Sequence, residues 1–546
     1  MDKWIRGRVD AWAGLKLPHC VTLMYIRRDF TKIKNEFSNF NRKDFRPGQL
    51  EAIRFVNECP KKVAVVVAPT GSGKSLVGMI NASCHKRASY LCSSKNLQHQ
   101  LTHDFPEASQ MMGRNNFPCN LDESRPADLC LHTSSTPCRV KGGCYYEVHK
   151  RQVLSQPLQI LNYHYFLHEA NYVGGFSGYP LMVCDEADVI EGLLTGFVEL
   201  RISQRRLQAL HLEPPRYKST TTQEGVSRWK QWAEDSQKKV VHRLGFLKGF
   251  ISSLQPDSEL TREDERMVEE FKALESLTHK LETFVQHVDE SWLFQEIDSG
   301  WSFQPTWLKP EFSQQYFFRH ADRFLFMSAT MPPRPVLGQM LGINAVDIDY
   351  HEIPSVFPES NRPVIVNPVA DMTMKNFRDE VPKLVKGIEE VLNHHRGEKG
   401  LIHTVSWKLN QAILGLNNPR LISHNSHDKD SVLEAFKRSK DRVFVSPSSM
   451  RGVDLPDDLC RFVIVAKAPF QSLGDRLVSA RVRGSGLGEF WYRSICAMDI
   501  VQASGRGVRH KNDYCTTYLM DRQILKLVVD NQSLFPEYWL KAVDCR

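Results

Sequence analysis

Eight residues, Ala68–Ser75 (APTGSGKS), constrain this chain more than any other stretch. An apolar run from Val63 to Val67 leads straight into them, and a helical pattern follows. A strand, a Gly-rich turn and a helix opened by Lys-Ser make a phosphate-binding loop. Gly71 and Gly73 supply backbone that turns where a side chain would collide with phosphate, and their N–H groups face the anion together with the helix N-terminus. Lys74 is placed to reach the outer phosphates and the Ser75 hydroxyl to hold Mg²⁺. Thr70, Gly71, Ser72, Gly73, Lys74 and Ser75 are therefore the candidate nucleotide-binding residues.

The flanking motifs fall into an order. FRPGQLEAI, Phe45 to Ile53, places Gln49 about 25 residues before the loop, where its amide is expected to read adenine. Ala88–Cys92 reads as a second strand, running into SSKNLQHQL, whose Lys95 and Gln98 suit a nucleic-acid backbone. Leu158–Leu161 is another short strand, followed by Asn162-Tyr163-His164-Tyr165. Leu181–Cys184 ends in Asp185-Glu186-Ala187-Asp188. Acidic residues at the tip of a buried strand suit metal-assisted hydrolysis, with Asp185 on Mg²⁺ and Glu186 orienting and deprotonating the attacking water. Arg323–Met327 is a strand ending in Ser328-Ala329-Thr330, a hydroxyl pair able to couple the nucleotide site to a neighbouring domain. After Met331, Pro332-Pro333 signals a linker. A second βα series follows, with strands at Gly400–Thr404, Arg442–Ser446 and Phe462–Ala466. It closes on QASGRGVR, Gln502 to Arg509. This spacing predicts Arg506 and Arg509 one helical turn apart on one face, an arginine-finger arrangement at a γ-phosphate.

Two stretches break the βα rhythm. Met111 to Gly143 is rich in Pro, Gly, Asn and Ser. It holds Cys119, Cys130 and Cys138, and Cys144 follows directly, so four of the chain's 13 cysteines fall within 26 residues. Thiols gathered in a segment with almost no apolar core predict a metal-stapled subdomain, and four thiolates suit either Zn²⁺ or an iron–sulfur cluster. Residues 195–318 are helical in pattern. Met267, Phe271, Leu274, Leu281, Phe284 and Val288 recur at helical steps behind a capping box at Thr261 and Asp264. Val240, Leu244, Leu247, Ile251 and Leu254 mark an earlier helix, with Trp229 and Trp232 ahead of it.

With 546 residues the chain exceeds one core, and 41% hydrophobic with 25% charged residues is ordinary for globular protein. A net charge of +8 biases it mildly towards polyanions. No signal peptide or apolar run long enough to span a bilayer is legible, so an intracellular protein, cytoplasmic or nucleoid-associated, without membrane partners is expected.

The order of motifs resembles the XPD/DinG family of superfamily 2 helicases. The matching pieces are APTGSGKS, the four-Cys segment, LNYHYFL, VCDEAD, FMSATM, PSVFPESNRP, SPSSMRGVDLP and QASGRGVR, spanning residues 45 to about 522. Asp188 stands where the family commonly has His, and Arg451 where Glu is usual. The resemblance implies an α/β chain of two RecA-like parallel-sheet domains with two insertions in the first. Residues 1–110 are the N-terminal segment and first part of domain 1, and 111–150 the four-Cys insertion. Residues 151–194 are domain 1 continued, 195–318 a helical Arch-like insertion, 319–340 the end of domain 1 and linker, and 341–546 domain 2. It implies ATP and Mg²⁺ between the domains, held from one wall by Lys74, Ser75, Asp185 and Glu186 and from the other by Arg506 and Arg509, with Gln49 and Asp454 also at the nucleotide. It implies a [4Fe–4S] cluster on Cys119, Cys130, Cys138 and Cys144. The implied activity is a monomeric ATP-dependent DNA helicase moving 5′-to-3′ on single-stranded DNA and acting on forked duplex. The residues leave open a zinc-stapled RNA helicase, a duplex translocase, or a nucleotide-gated nucleic-acid-binding scaffold.

Overall fold

The structure, a computed structural model, describes residues 29–40, 43–120, 123–129, 144–215, 222–254, 261–297, 299–447, 455–484, 486–510 and 512–545. Cys130, Cys138, Arg451 and Asp454 lie outside the described residues.

In chain order the strands of the first half are β1 (Val63–Val67), β2 (Ala88–Cys92), β3 (Ser109–Gln110), β4 (Leu158–Asn162), β5 (Tyr179–Asp185), β6 (Leu200–Ser203), β7 (Trp292–Ile297), β8 (Gly300–Pro305), β9 (Ala321–Ser328) and β10 (Ile348–Glu352). All but β6–β8 form one parallel sheet ordered β10-β1-β9-β5-β2-β4-β3. Helices cover both faces, so its central strands are near-continuous apolar runs; all five residues of β1 are buried. The register aligns the carboxyl ends that matter: Val67 pairs with Ser328, and Asp185 with Met327. The phosphate loop, the Asp185–Asp188 turn and Ser328–Thr330 therefore leave the sheet along one edge, where ligands of parallel α/β sheets bind.

The second half repeats the plan. Strands β11 (Val364–Ala370), β12 (Gly400–His403), β13 (Leu421–Ser423), β14 (Val443–Ser446), β15 (Phe462–Val465), β16 (Thr516–Asp521) and β17 (Val543–Cys545) form a parallel sheet ordered β13-β14-β12-β15-β16-β11-β17. The two RecA-like sheets match the expected fold. The boundary at residue 340 moves, because β10 still pairs in parallel with β1. Pro333 sits at the N-cap of an Arg334–Leu341 helix and opens it instead of breaking the chain into a linker.

The insertion between β5 and β9 is helical only in part. Helices Gln223–Ser253 and Arg262–His287 pack as an antiparallel pair, the second opened by the expected capping box of Thr261 and Asp264. Trp229 and Trp232 lie within the first helix, not ahead of it. Beneath the pair β6, β8 and β7 form an antiparallel sheet. Its strands are too short and aromatic to stand out by period, and they are joined by a segment of some 90 residues. Trp229 packs edge-on to Phe303 and so ties the first helix to this sheet.

Candidate nucleotide site between two domains

The phosphate loop has the required backbone. Gly71 and Gly73 adopt φ of 81° and 82°, and Gly73 caps the Lys74–Ser83 helix. Neither tolerates a side chain. A Cβ on Gly71 would lie 2.6 Å from the Phe357 ring, and one on Gly73 2.3 Å from the Gln49 amide nitrogen. Lys74 Nζ rests against the Ala68 carbonyl at 3.4 Å.

Gln49 departs from expectation. It is buried, its amide donates to the carbonyls of Ser72 (3.0 Å) and Gly73 (3.2 Å), and its own carbonyl accepts from the Arg46 backbone N–H (2.8 Å). The amide braces the phosphate loop and has no hydrogen left for a base. The Arg46 guanidinium adds a bond to the Gly71 carbonyl. Gln98 is corrected likewise: it is buried and donates to the Met111 (2.7 Å) and Ile160 (3.2 Å) carbonyls, filling the gap between a helix and the sheet. Lys95 bonds the Asn116 side chain at 2.9 Å.

Asp185, at the end of β5, is 3% exposed. Tyr90 on β2 donates to its Oδ2 at 2.7 Å, and the Glu186 N–H to its Oδ1 at 2.9 Å. Burial first, then the neighbouring Glu186 charge, push its pKa up to about 6, against the pull of Lys74 and the two hydrogen bonds. Burial also pushes the Tyr90 phenol well up, against a hydrogen bond with Ser75. Ser75, Tyr90, Asp185 and Lys74 are thus one cluster. A buried carboxylate that its neighbours leave incompletely compensated, beside a hydroxyl, fits a divalent cation, with Ser75 and Asp185 as the residues to hold it. Glu186 has left-handed backbone, φ 52° and ψ 45°, which turns the chain sharply out of β5. Nothing in the sequence marked Tyr90, which reads as one more apolar core residue; Tyr163 lies in the LNYHYFL motif but had no role assigned, and its hydroxyl donates to the Asp185 carbonyl at 2.9 Å.

The second domain closes the site. Gln502 donates to Asp188 Oδ2 (3.0 Å) and Thr330 Oγ1 (2.9 Å), while Ser328 Oγ donates to Asp188 Oδ1 (2.7 Å). The expected coupling through Ser328 and Thr330 is present as geometry. Tyr538 Oη donates to the Ala329 carbonyl at 3.1 Å. A Cβ on Gly505 would lie 3.9 Å from Thr70 Oγ1, and one on Gly71 3.7 Å from the Arg509 carbonyl. Arg506 and Arg509 are on this wall but not on a shared helical face. The helix is Gly488–Ser504, and both arginines follow its end. Gly505 caps it, and Gly507 packs so closely on Cys515 that a Cβ would stand 2.4 Å from the sulfur. That approach takes the chain off the helical path.

At the cysteine insertion, Tyr145 N–H donates to Asn120 Oδ1 at 2.6 Å, so the residues following Cys119 and Cys144 are bonded. Both cysteines are free thiols, and Cys144 is the N-cap residue of the Tyr145–Ser155 helix. Free thiols are the donor chemistry that a metal or cluster takes.

Residues 398–542 match the helicase C-terminal domain family. Among solved structures, an XPD helicase aligns with a TM-score of 0.60 and 14% identity over 96% of this chain and 100% of that one. The chain has the fold of the XPD helicases. The S. tokodaii Xpd4 structure aligns with a TM-score of 0.54 and 14% identity, covering 91% of this chain and 98% of that one. By sequence, the ATP-dependent DNA helicase CHL1 of Saccharomyces cerevisiae is 30% identical over 144 residues, 22% of this XPD-like chain and 17% of that protein. The ATP-dependent DNA helicase chl-1 of Caenorhabditis elegans is 30% identical over 105 residues, 18% of this chain and 13% of that protein. The matched stretches thus span less than a fifth of either curated relative. No helix among the described residues is long and apolar enough to cross a membrane.

Proposed function

We propose that this chain is an ATP-dependent DNA helicase that moves 5′-to-3′ along single-stranded DNA and opens forked duplex. The observation that carries the reading is the cross-domain bond of Gln502 to Asp188 and Thr330, which seats one RecA-like domain on the nucleotide-binding edge of the other. A binding scaffold needs no such joint. In the mechanism, Gly71, Gly73 and Lys74 cradle the phosphates, and Ser75 and Asp185 hold Mg²⁺, which neutralises charge on the phosphates when bound. Glu186 orients and deprotonates the attacking water. Arg506 and Arg509 approach from the second domain to stabilise charge on the transferring phosphoryl group. Cys119 and Cys144, with Cys130 and Cys138, would hold a [4Fe–4S] cluster that staples the insertion. Its visible absorption, against colourless stoichiometric zinc, decides that assignment. The DNA preference draws support from the named relatives, both ATP-dependent DNA helicases, and the direction from the motif resemblance alone.

The test is steady-state ATP turnover with and without single-stranded DNA, beside nucleotide affinity. Lys74→Ala weakens nucleotide binding itself. Arg506→Ala keeps it and loses most DNA-stimulated turnover, on the order of 10³-fold for a phosphoryl-stabilising arginine. Full DNA-stimulated turnover in folded Lys74→Ala protein refutes the site, and unwinding from a 3′ tail alone refutes the direction.

A further inference from the structure

Behind the loop that carries Arg506 and Arg509 lies a carboxylate with no exposed surface, Asp513. Its Oδ2 accepts from the Arg509 backbone N–H (3.0 Å) and from the Asp457 N–H (3.3 Å). Its Oδ1 accepts from the Arg461 guanidinium (2.8 Å) and from the Tyr514 N–H (2.9 Å). Four donors fill the roughly four acceptor positions that a carboxylate has. The backbone of Asp513 is pinned as well. Its N–H donates to the His510 carbonyl at 3.0 Å, and the Asn361 amide donates to its carbonyl at 3.2 Å.

Two of these donors come from motif segments far apart in the chain. Arg509 ends QASGRGVR, and Asp457 follows directly on SPSSMRGVDLP. A second contact ties the same two segments at the surface, where His510 Nε2 meets Asp457 Oδ1 at 2.6 Å. Asp457 holds left-handed backbone, φ 56°, a state that a residue other than glycine keeps only when its surroundings fix it. A buried carboxylate costs free energy that an apolar side chain would not. Arg461, 11% exposed, offsets the charge. What the carboxylate supplies, and no apolar residue can, is one oxygen shared by backbone N–H groups of two separate segments. The Arg509 guanidinium is held differently: it donates to the carbonyls of Gly505 and Val508, at 3.0 Å each. A phosphate oxygen is a charged and stronger acceptor than a carbonyl. The guanidinium can therefore turn to a phosphoryl group while the backbone beneath it stays fixed.

We infer that Asp513 is a positioning residue for phosphoryl transfer, fixing the backbone of Arg509 against the segment after SPSSMRGVDLP so that the guanidinium reaches the γ-phosphate from one set place. The inference rests on the arginine role proposed above, and Asp513 itself touches no nucleotide. Its replacement by Asn leaves one acceptor oxygen and turns an NH₂ group either on the Arg509 and Asp457 N–H groups or on Arg461.

The experiment uses the full chain, Asp513→Asn, Arg509→Ala and the double variant. It measures ATP turnover with single-stranded DNA, ATP affinity, and the affinity for ADP with aluminium fluoride, a mimic of the transferring phosphoryl group. Asp513→Asn should lower kcat about 100-fold, the effect of displacing a reacting group by roughly 1 Å. ATP affinity should stay within about threefold, and the extra affinity that aluminium fluoride gives ADP should be lost. Arg509→Ala should cost on the order of 10³-fold. Because Asp513 acts through Arg509, the double variant should turn over no more slowly than Arg509→Ala alone, where independent effects would multiply to about 10⁵-fold. If Asp513→Asn fails to fold with Arg461 left unpaired, Asp513→Asn/Arg461→Gln removes both charges and carries the same expectations. A multiplied loss in the double variant overturns the inference, and so does full turnover in folded Asp513→Asn. ATP affinity falling in step with turnover also overturns it, since that is the mark of a merely structural residue. Full DNA-stimulated turnover in Arg509→Ala removes the arginine role and the inference with it, whereas an unmodified chain without ATP turnover refutes the proposed function beneath both.

Discussion

Asp185→Asn is expected to stabilise the nucleotide-free protein at neutral pH while removing its turnover. The Asp185 carboxyl titrates near 6 in the fold against 3.8 for an ordinary Asp, mainly because it is buried and next to Glu186. A shift of that size corresponds to about 3 kcal/mol, present as stability below the unfolded pKa and lost as pH rises through the folded one. Above pH 7 the native state therefore bears the whole cost of an ionised Asp185. An Asn removes the charge but offers one acceptor where Tyr90 and Glu186 N–H now use two, which returns about 1 kcal/mol of the gain. The variant should be more stable than the parent at pH 8 and lose that advantage by about pH 4.5. For a domain of about 200 residues, the net gain of about 2 kcal/mol moves the melting midpoint by roughly 4–8 °C. Thermal melts of both proteins across this range isolate the effect, because every other titrating group is common to them. Parallel curves from pH 8 to 4.5 would refute the reasoning.

Three further substitutions probe the joints. Gly71→Ala forces a Cβ into left-handed backbone against Phe357 and should cost about 1–3 kcal/mol along with nucleotide affinity; adding Phe357→Ala should return part of the stability in a urea titration. Gln502→Ala removes the bonds to Asp188 and Thr330 and should leave nucleotide affinity within a few-fold while uncoupling turnover from DNA, read as equal ATPase rates with and without single strand. Arg481 is 4% exposed, lies against both the Trp307 and Trp491 rings at 4.5 and 5.0 Å, and pairs with Glu191 across the domains. Arg481→Ala should cost about 3 kcal/mol by stranding a largely shielded carboxylate, and Arg481→Lys should not rescue it because one ammonium cannot replace a guanidinium that faces both rings while bonding Glu191 and the Thr306 carbonyl.

The sheets and the phosphate loop were legible because their signals are local. A buried parallel strand is a short apolar run, and a phosphate loop needs glycine at fixed places. What escaped depends on partners distant in sequence. Gln49 and Gln98 read as ligand-facing amides, yet each fills a buried gap whose carbonyls come from elsewhere in the first domain, and only the fold reveals those acceptors. Arg506 and Arg509 fit a helical period, but the close approach of Gly507 to Cys515 overrides it. The small sheet was hidden because β6 and β8 meet across the whole helical pair. The Asp185–Asp188 turn and Ser328–Thr330 were found as separate strings; their adjacency follows from the pairing of β5 with β9, which no string states.

Asp188 shows what a departure from the family's usual residue can achieve. A carboxylate has two oxygens, and here each faces a different part of the machine: Oδ1 accepts from Ser328 of its own domain, Oδ2 from Gln502 of the other. A neutral imidazole offers one donor and one acceptor, so it could not accept from both. The acidic residue therefore satisfies the joint with Gln502 presenting its NH₂ group, which leaves a second amide hydrogen for Thr330 Oγ1. Three residues on, Glu191 accepts from Arg481 of the second domain and from Thr195 at 3.1 Å. Within seven residues, Asp185 and Glu186 are the proposed nucleotide-side groups while Asp188 and Glu191 bond the other domain. The left-handed turn at Glu186 divides the two pairs, so a backbone shift there on nucleotide binding would reach both interdomain bonds by way of one short rigid turn.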